Sequence, residues 1–225
     1  MRATHVVLVF SMSLDGYVAG PGVSADRAMG RDGELLHRWM FEDAEDRAAD
    51  RAVVAEIGAR AGAVLLGRRT FDVGLQYWND TPYPAPSFVM THEARDPMPM
   101  ASAAFTFVDA GIEEGVRLAK AAAGDRDVVV MGAEVARQVL RADLADELFI
   151  TIVPLLLGGG ERLFDTIGNR PRRLAIRRIV PSPVAAHIAF ALKMPEARTE
   201  RETDATPLMR GGGSSYSDAT GQEIS

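Results

Sequence analysis

The chain has 225 residues, 47% hydrophobic and 25% charged, a globular composition that can bury a sizeable core. Its formal net charge of -6 argues against nucleic acid as a main partner, since phosphate binding needs a local excess of Lys and Arg. It has no cysteine, which excludes disulfides, thiolate catalysis and Cys-based zinc sites and fits a cytoplasmic location.

In chain order, the apolar run Val6 to Phe10 leads into Ser11 and Asp15 with no small-residue cleavage site after it. It reads as part of a buried strand, Val6 to Met12, rather than as a leader. Asp15 to Asp32, rich in Gly and Asp, is loop. The row Glu45, Ala49, Val53, Ile57 predicts a helix, with Asp43, Glu45 and Asp46 at its start and Gly58 and Gly62 at its close. Ala63 to Leu66 is a short buried strand and Arg69 to Gly74 a short helix. A loop with Pro82, Pro84 and Pro86 leads to the strand Ser87 to Met90. Strand, helix, strand, helix and strand follow at Phe105 to Val108, Ile112 to Ala123, Val128 to Met131, Ala133 to Leu140 and Glu147 to Val153. Arg173 to Val180 and Val184 to Leu192 are spaced as an antiparallel pair turned at Pro181-Ser182-Pro183. The basic cluster Arg170, Arg172, Arg173, Arg177 and Arg178 reads as a strand edge guarded by charge.

Apolar strands alternating with helices imply an α/β domain whose mostly parallel sheet is covered on both faces. Residues 1–194 form this domain, and residues 195–225, with the linker-like Gly211-Gly212-Gly213-Ser214-Ser215, read as a polar, disordered tail. No stretch reaches the roughly 18 apolar residues of a membrane span. The histidines His5, His37, His92 and His187 lack metal-ligand spacing, so no metal is expected.

Chemistry in such sheets sits beyond the carboxyl ends of the strands. Gly67-Arg68-Arg69-Thr70 follows a buried strand, joining a glycine that admits a phosphate to two guanidinium groups and a hydroxyl. A tight turn with an ordinary helix cap accounts for the same residues. Met131-Gly132-Ala133-Glu134 repeats the layout, and two such junctions can hold two ends of a dinucleotide. Thr91 and His92, with Arg95 nearby, end another strand where a ribose phosphate can sit. Asp15-Gly16 is a turn signal opening a possible lid, and Leu157-Gly158-Gly159-Gly160 is either a flexible turn or a cofactor contact. Asp46 is a candidate proton donor at a helix start, where acids are also ordinary caps. No G-x-G-x-x-G, Walker A or G-x-S-x-G is present.

In their order, Ser13 to Gly20, Gly67 to Asp72, Phe88 to His92, Asp127 to Gln138 and Asp146 to Phe164 resemble the dihydrofolate reductase-like proteins grouped with the reductase domain of the riboflavin-biosynthesis deaminase/reductase. The resemblance implies a three-layer domain with a mixed, mostly parallel central sheet and a C-terminal antiparallel strand pair. It implies NADPH as cofactor, with Gly67, Arg68, Arg69 and Thr70 at phosphates, Thr91 and His92 near the 2′-phosphorylated ribose, and Gly132 and Ala133 at the pyrophosphate. Asp15 and Gly16 would border the substrate. Relatives usually carry two glycines after the equivalent of Val130, where this chain reads Met131-Gly132-Ala133: either one glycine is absent or Met131 stands in its place. The implied activity is hydride transfer to a small heterocyclic substrate of the 5-amino-6-(5-phosphoribosylamino)uracil type, in a homodimer. The alternatives are a pterin or dihydrofolate reductase, and a non-catalytic NADPH-binding protein.

Overall fold

The computed structural model describes residues 3–42 and 46–192. The tail expected from residue 195, and Asp43 and Glu45, lie outside the described residues. The chain runs β1 (Val6–Ser13), β2 (Tyr17–Ala19), a 3-10 turn (Gly33–His37), α1 (Arg38–Phe41), α2 (Ala48–Arg60), β3 (Ala61–Gly67), α3 (Arg68–Gly74) and β4 (Ser87–Met90). It continues with β5 (Met98–Pro99), β6 (Ala104–Val108), α4 (Ile112–Ala123), β7 (Asp127–Met131), α5 (Ala133–Arg141), β8 (Glu147–Val153), β9 (Glu161–Arg162), β10 (Ala175–Pro181) and β11 (Ala186–Ala191).

Nine strands form one sheet in the order β10-β11-β8-β1-β7-β3-β4-β6-β5. The pairs from β8 to β6 are parallel, and β11, β10 and β5 add antiparallel edges. The mixed, mostly parallel sheet with its C-terminal antiparallel pair is the expected fold. Both faces are covered, which is why the inner strands read as continuous apolar runs. Val6, Leu8, Leu65 and Val130 pack with Val116 of α4 and Val135 and Val139 of α5. On the other face Val7 and Phe149 meet Val53 and Ile57 of α2, while Val64, Leu66 and Phe105 meet Phe71 of α3.

Three local expectations need correction. Gly58 lies inside α2 and Gly62 inside β3, so neither closes the helix. Gly62 is instead a packing glycine: a Cβ there would meet the Arg126 side chain at 2.6 Å. Asp15 to Asp32 is not wholly loop, because β2 pairs antiparallel with β9, a contact between residues too far apart for local patterning to reveal. The buried row of α2 is Asp50, Val53, Ile57 rather than Glu45, Ala49, Val53, Ile57, and Asp50 is buried against His187.

The amino ends of the strands are closed by charge. Arg60, ending α2, donates from Nε to Asp127 Oδ2 at 2.8 Å and from Nη1 and Nη2 to Glu147 at 2.8 and 3.1 Å. Burial opposes the guanidinium charge, but its bonds to Glu147 and Asp127 outweigh that and raise its pKa. The Asp127 side chain is fully buried, and its Oδ1 also accepts from His5 N. Asp146 Oδ2 accepts from Val6 N at 2.9 Å. Arg60→Ala removes this guanidinium from buried Asp127 and from Glu147 and is expected to cost about 2–3 kcal/mol, below the full buried-pair range because Arg60 is partly exposed. Arg178→Ala, which breaks the exposed bridge to Glu56, should cost less than about 1 kcal/mol. Urea unfolding midpoints of the two variants check the contrast.

Candidate active-site cleft

The carboxyl ends of β1, β3, β4, β7 and β8 open into one cleft of about 1790 Å³. A pocket for a single drug-sized ligand occupies roughly 300–1,000 Å³, so this one has room for a dinucleotide and a second small molecule. Gly67, Arg68, Arg69, Thr70, Thr91, His92, Gly132 and Ala133 all line it. They come from three separate strand ends, and the sheet order alone brings them together.

The β3–α3 and β7–α5 junctions touch. Gly132 has φ +88, and a Cβ there would fall inside the radius of Thr70 Oγ1. A Cβ on Gly67 would stand 3.1 Å from Val135 Cγ2. Met131 is the last residue of β7, pairs with Leu66 and has its side chain against the Phe71–Phe105 cluster. The tight approach therefore needs glycine at 132 and tolerates a side chain at 131.

The cations are partly engaged. Arg68 donates from Nε to both Asp72 oxygens at 2.9 Å, the main reason its pKa is raised, and its Nη1 lies 3.7 Å from Glu93. Arg69, which lines the cleft, donates from Nη2 to Val23 O at 3.2 Å. Glu134 also lines the cleft; burial works against its charge, but Gln138, Arg137 and Arg141 lower its pKa. Arg137 ties α5 to β9 through Glu161 Oε1 at 2.6 Å and Arg162 O at 2.7 Å.

Asp15 and Gly16 are placed elsewhere and do not line the cleft. Asp15 accepts from Leu157 N at 3.0 Å and Gly158 N at 2.8 Å, clasping the β8–β9 loop. Gly16, at φ +90, is covered by Arg162, whose Nη1 donates to Asp15 O at 3.0 Å. Asp46 also lies off the cleft, on the turn before α2, with its side chain 62% exposed and 3.7 Å from Arg47 Nε. Its role as proton donor finds no support from this position.

Other residues on the cleft were missed by the sequence reading. His37 lines it with Nδ1 buried and without a hydrogen-bond partner among the described residues, and burial lowers its pKa. Ser11 and Thr151 lie side by side where β1 and β8 meet the cleft, and Trp39 Nε1 donates to Ser11 Oγ at 2.8 Å. The polar residues Ser11 and Thr151 within apolar strands were the available signal.

Residues 4–183 match the model of the RibD C-terminal domain. The chain belongs to this family. Its fold is similar to that of a Shewanella sp. PV-4 protein named for riboflavin biosynthesis, with a TM-score of 0.64, 24% identity, and 85% of this chain and 100% of that one covered. The deaminase/5-amino-6-(5-phosphoribosylamino)uracil reductase of Thermotoga maritima aligns with a TM-score of 0.57 and 17% identity, covering 85% of this chain and 57% of that chain. Dihydrofolate reductase from Enterococcus faecalis, complexed with NADP(H), aligns with a TM-score of 0.52 and 13% identity, covering 84% of this chain and 97% of that one. A comparison with curated proteins gave no match. The domain is a RibD C-terminal domain with a dihydrofolate reductase-like fold.

Gly132→Ala forces a side chain into a left-handed position and against Thr70, at an expected cost of about 1–3 kcal/mol. Adding Thr70→Ala should recover the steric part and leave the backbone part, so thermal unfolding of the double mutant should fall between wild type and Gly132→Ala. For Asp15, hydrogen bonding by Ser13 first, then by the Gly158 and Leu157 amides against the burial penalty, lowers the carboxyl from 3.8 to about 2. Its folded pKa lies below the unfolded one, so the clasp stabilises above about pH 4 and loses that effect as pH falls toward 2. The stability difference between wild type and Asp15→Asn should therefore shrink over that window in unfolding measured against pH.

Proposed function

We propose that the domain holds NADPH along the cleft and reduces a small heterocyclic substrate of the 5-amino-6-(5-phosphoribosylamino)uracil type. The observation that carries the reading is the convergence of eight residues from three strand ends on one cleft of sufficient size. Gly132 tests the fit: it lets Thr70 close against the start of α5, where no side chain among the described residues caps the first N–H groups and the positive dipole end suits a pyrophosphate. Arg69, Arg68 and Thr70 would hold phosphate oxygens, and Thr91 and His92 the phosphorylated ribose. When bound, the dihydronicotinamide supplies the hydride. The protein's own part is to orient the reactants over the ends of β1 and β8 and to exclude water between the 20–33 loop and the sheet.

That loop has the internal bonds to serve as a wall. Gly20 N donates to Met29 O at 2.8 Å, Arg31 N donates to Pro21 O at 2.9 Å, and Arg69 holds Val23. A cytoplasmic homodimer belongs to the same reading, checked by sedimentation. Its available edge is β10, where Ile176 and Ile179 are exposed.

Titration by nicotinamide fluorescence should give saturable binding with at least a roughly tenfold preference for NADPH over NADH, a difference of about 1.4 kcal/mol. Gly132→Val should weaken NADPH binding by a similar factor or more. Turnover of the ribosylaminouracil phosphate with NADPH would complete the assignment. Binding without turnover of any acceptor would favour a non-catalytic dinucleotide-binding protein, and no binding by folded protein would overturn the reading.

A further inference from the structure

A row of polar side chains crosses the otherwise apolar α2 face of the sheet. In the strand registers Ser11 pairs with Thr151, and Thr151 with His187. Thr151 Oγ1 lies 2.9 Å from His187 Nδ1, and His187 Nε2 lies 2.8 Å from Asp50 Oδ1. Arg47 Nη1 lies 3.7 Å from the other Asp50 oxygen. The Trp39 ring stands edge-on to the imidazole with centroids 4.7 Å apart. Thr151, His187 and Asp50 are each 1% exposed and Arg47 is 9% exposed. Of these four, Thr151 alone lines the cleft.

We propose that Thr151 delivers to the substrate the proton that accompanies the hydride, and that His187, held by Asp50, resupplies it. This rests on the reductase reading above. Stability gives little reason for such a chain, because apolar residues of similar volume in a buried ionic network are often as stable or more so. The chain instead has a direction. It begins at an ion pair beside α2 and ends at a hydroxyl on the substrate cleft.

Asp50 accepts from Nε2–H, which fixes the ring orientation and leaves Nδ1 for Thr151. With the ring protonated, Nδ1–H donates to Thr151 Oγ1 and the threonine O–H points to the cleft. As the hydride reaches the substrate carbon, the π pair of the C=N or C=O bond moves to the heteroatom. That heteroatom takes the hydroxyl proton of Thr151, and Thr151 takes the Nδ1 proton. The ring becomes neutral with Nε2–H still on Asp50, the substrate has gained one hydride and one proton, and the dinucleotide is left oxidised. After product leaves, water in the cleft gives a proton to Thr151 Oγ1 as the threonine hydroxyl passes its own proton back to Nδ1. Among the described residues, the charged groups around the ring are Asp50 and, behind it, Arg47, which also lies 3.7 Å from Glu42 and 3.7 Å from Asp46.

Thr151→Val keeps the side-chain shape and removes the hydroxyl. It should lower kcat by about 100-fold or more, the usual scale of a general acid, with KM and NADPH affinity within about threefold of wild type. Thr151→Ser should restore kcat to within about tenfold. His187→Gln, which keeps hydrogen bonds but holds no transferable proton, should lower kcat similarly and flatten its pH profile. A readout independent of turnover is the imidazole ¹⁵N spectrum of the protein without dinucleotide, in which Nε2 should stay protonated while the Nδ1 proton responds to pH and to Thr151→Val. Turnover by Thr151→Val within threefold of wild type, or an imidazole locked in one state across the pH range of activity, overturns the relay while the reductase reading stands. Failure of wild type to bind NADPH overturns both.

Discussion

Strand β7 is hydrogen-bonded to β1 on one side and to β3 on the other, although β3, β4 and β6 are placed before it in the chain. Its insertion into that slot fixes where the strand ends lie. It seats Gly132 against Thr70, so the two glycine junctions become one surface, and it leaves β1 free to take β8 on its other edge. Val128, Val129 and Val130, almost wholly buried on both faces, are what makes that central position favourable. Without it, the β1–β8 and β3–β4 pairs would have no common strand to join their ends in one cleft.

The two ends of the sheet are treated differently. At the amino ends, Asp127 and Asp146 accept from backbone N–H groups, and Arg60 and Lys120 balance their charge. Buried backbone donors need partners, and charged side chains supply them there. At the carboxyl ends the corresponding groups face a cleft. A rigid base and an open mouth are what a binding site on a parallel sheet requires.

The polar row Ser11, Thr151, His187 lies between these ends. It interrupts an apolar face that Val7, Phe149 and Ala189 otherwise share with α2. Under the proposed reductase reading, this row is a proton source that closure of the site would shield from water. The stability cost is borne by the two-sided burial of the sheet around it.

Much was legible from the chain alone because it is local. A valine run followed by glycine and a helix start encodes its own strand, turn and helix, so Gly67 to Thr70 and Gly132-Ala133 could be read directly, as could the antiparallel pair turned at Pro181-Ser182-Pro183. The pairing of β2 with β9, the clasp of Asp15 on Gly158, and the Asp50–His187 contact across 137 positions were not legible. Each joins side chains whose sequence surroundings carry no mark of the partner. Asp15 and Asp46 looked chemical as members of turns and caps, yet one is spent on two loop amides and the other faces solvent. Local propensity and periodicity determined which segments are strands and helices and which glycines open them. Sheet order, decided only by burying both faces of β1 and β7, determined which of those residues share a cleft and which carboxylate stands behind its histidine.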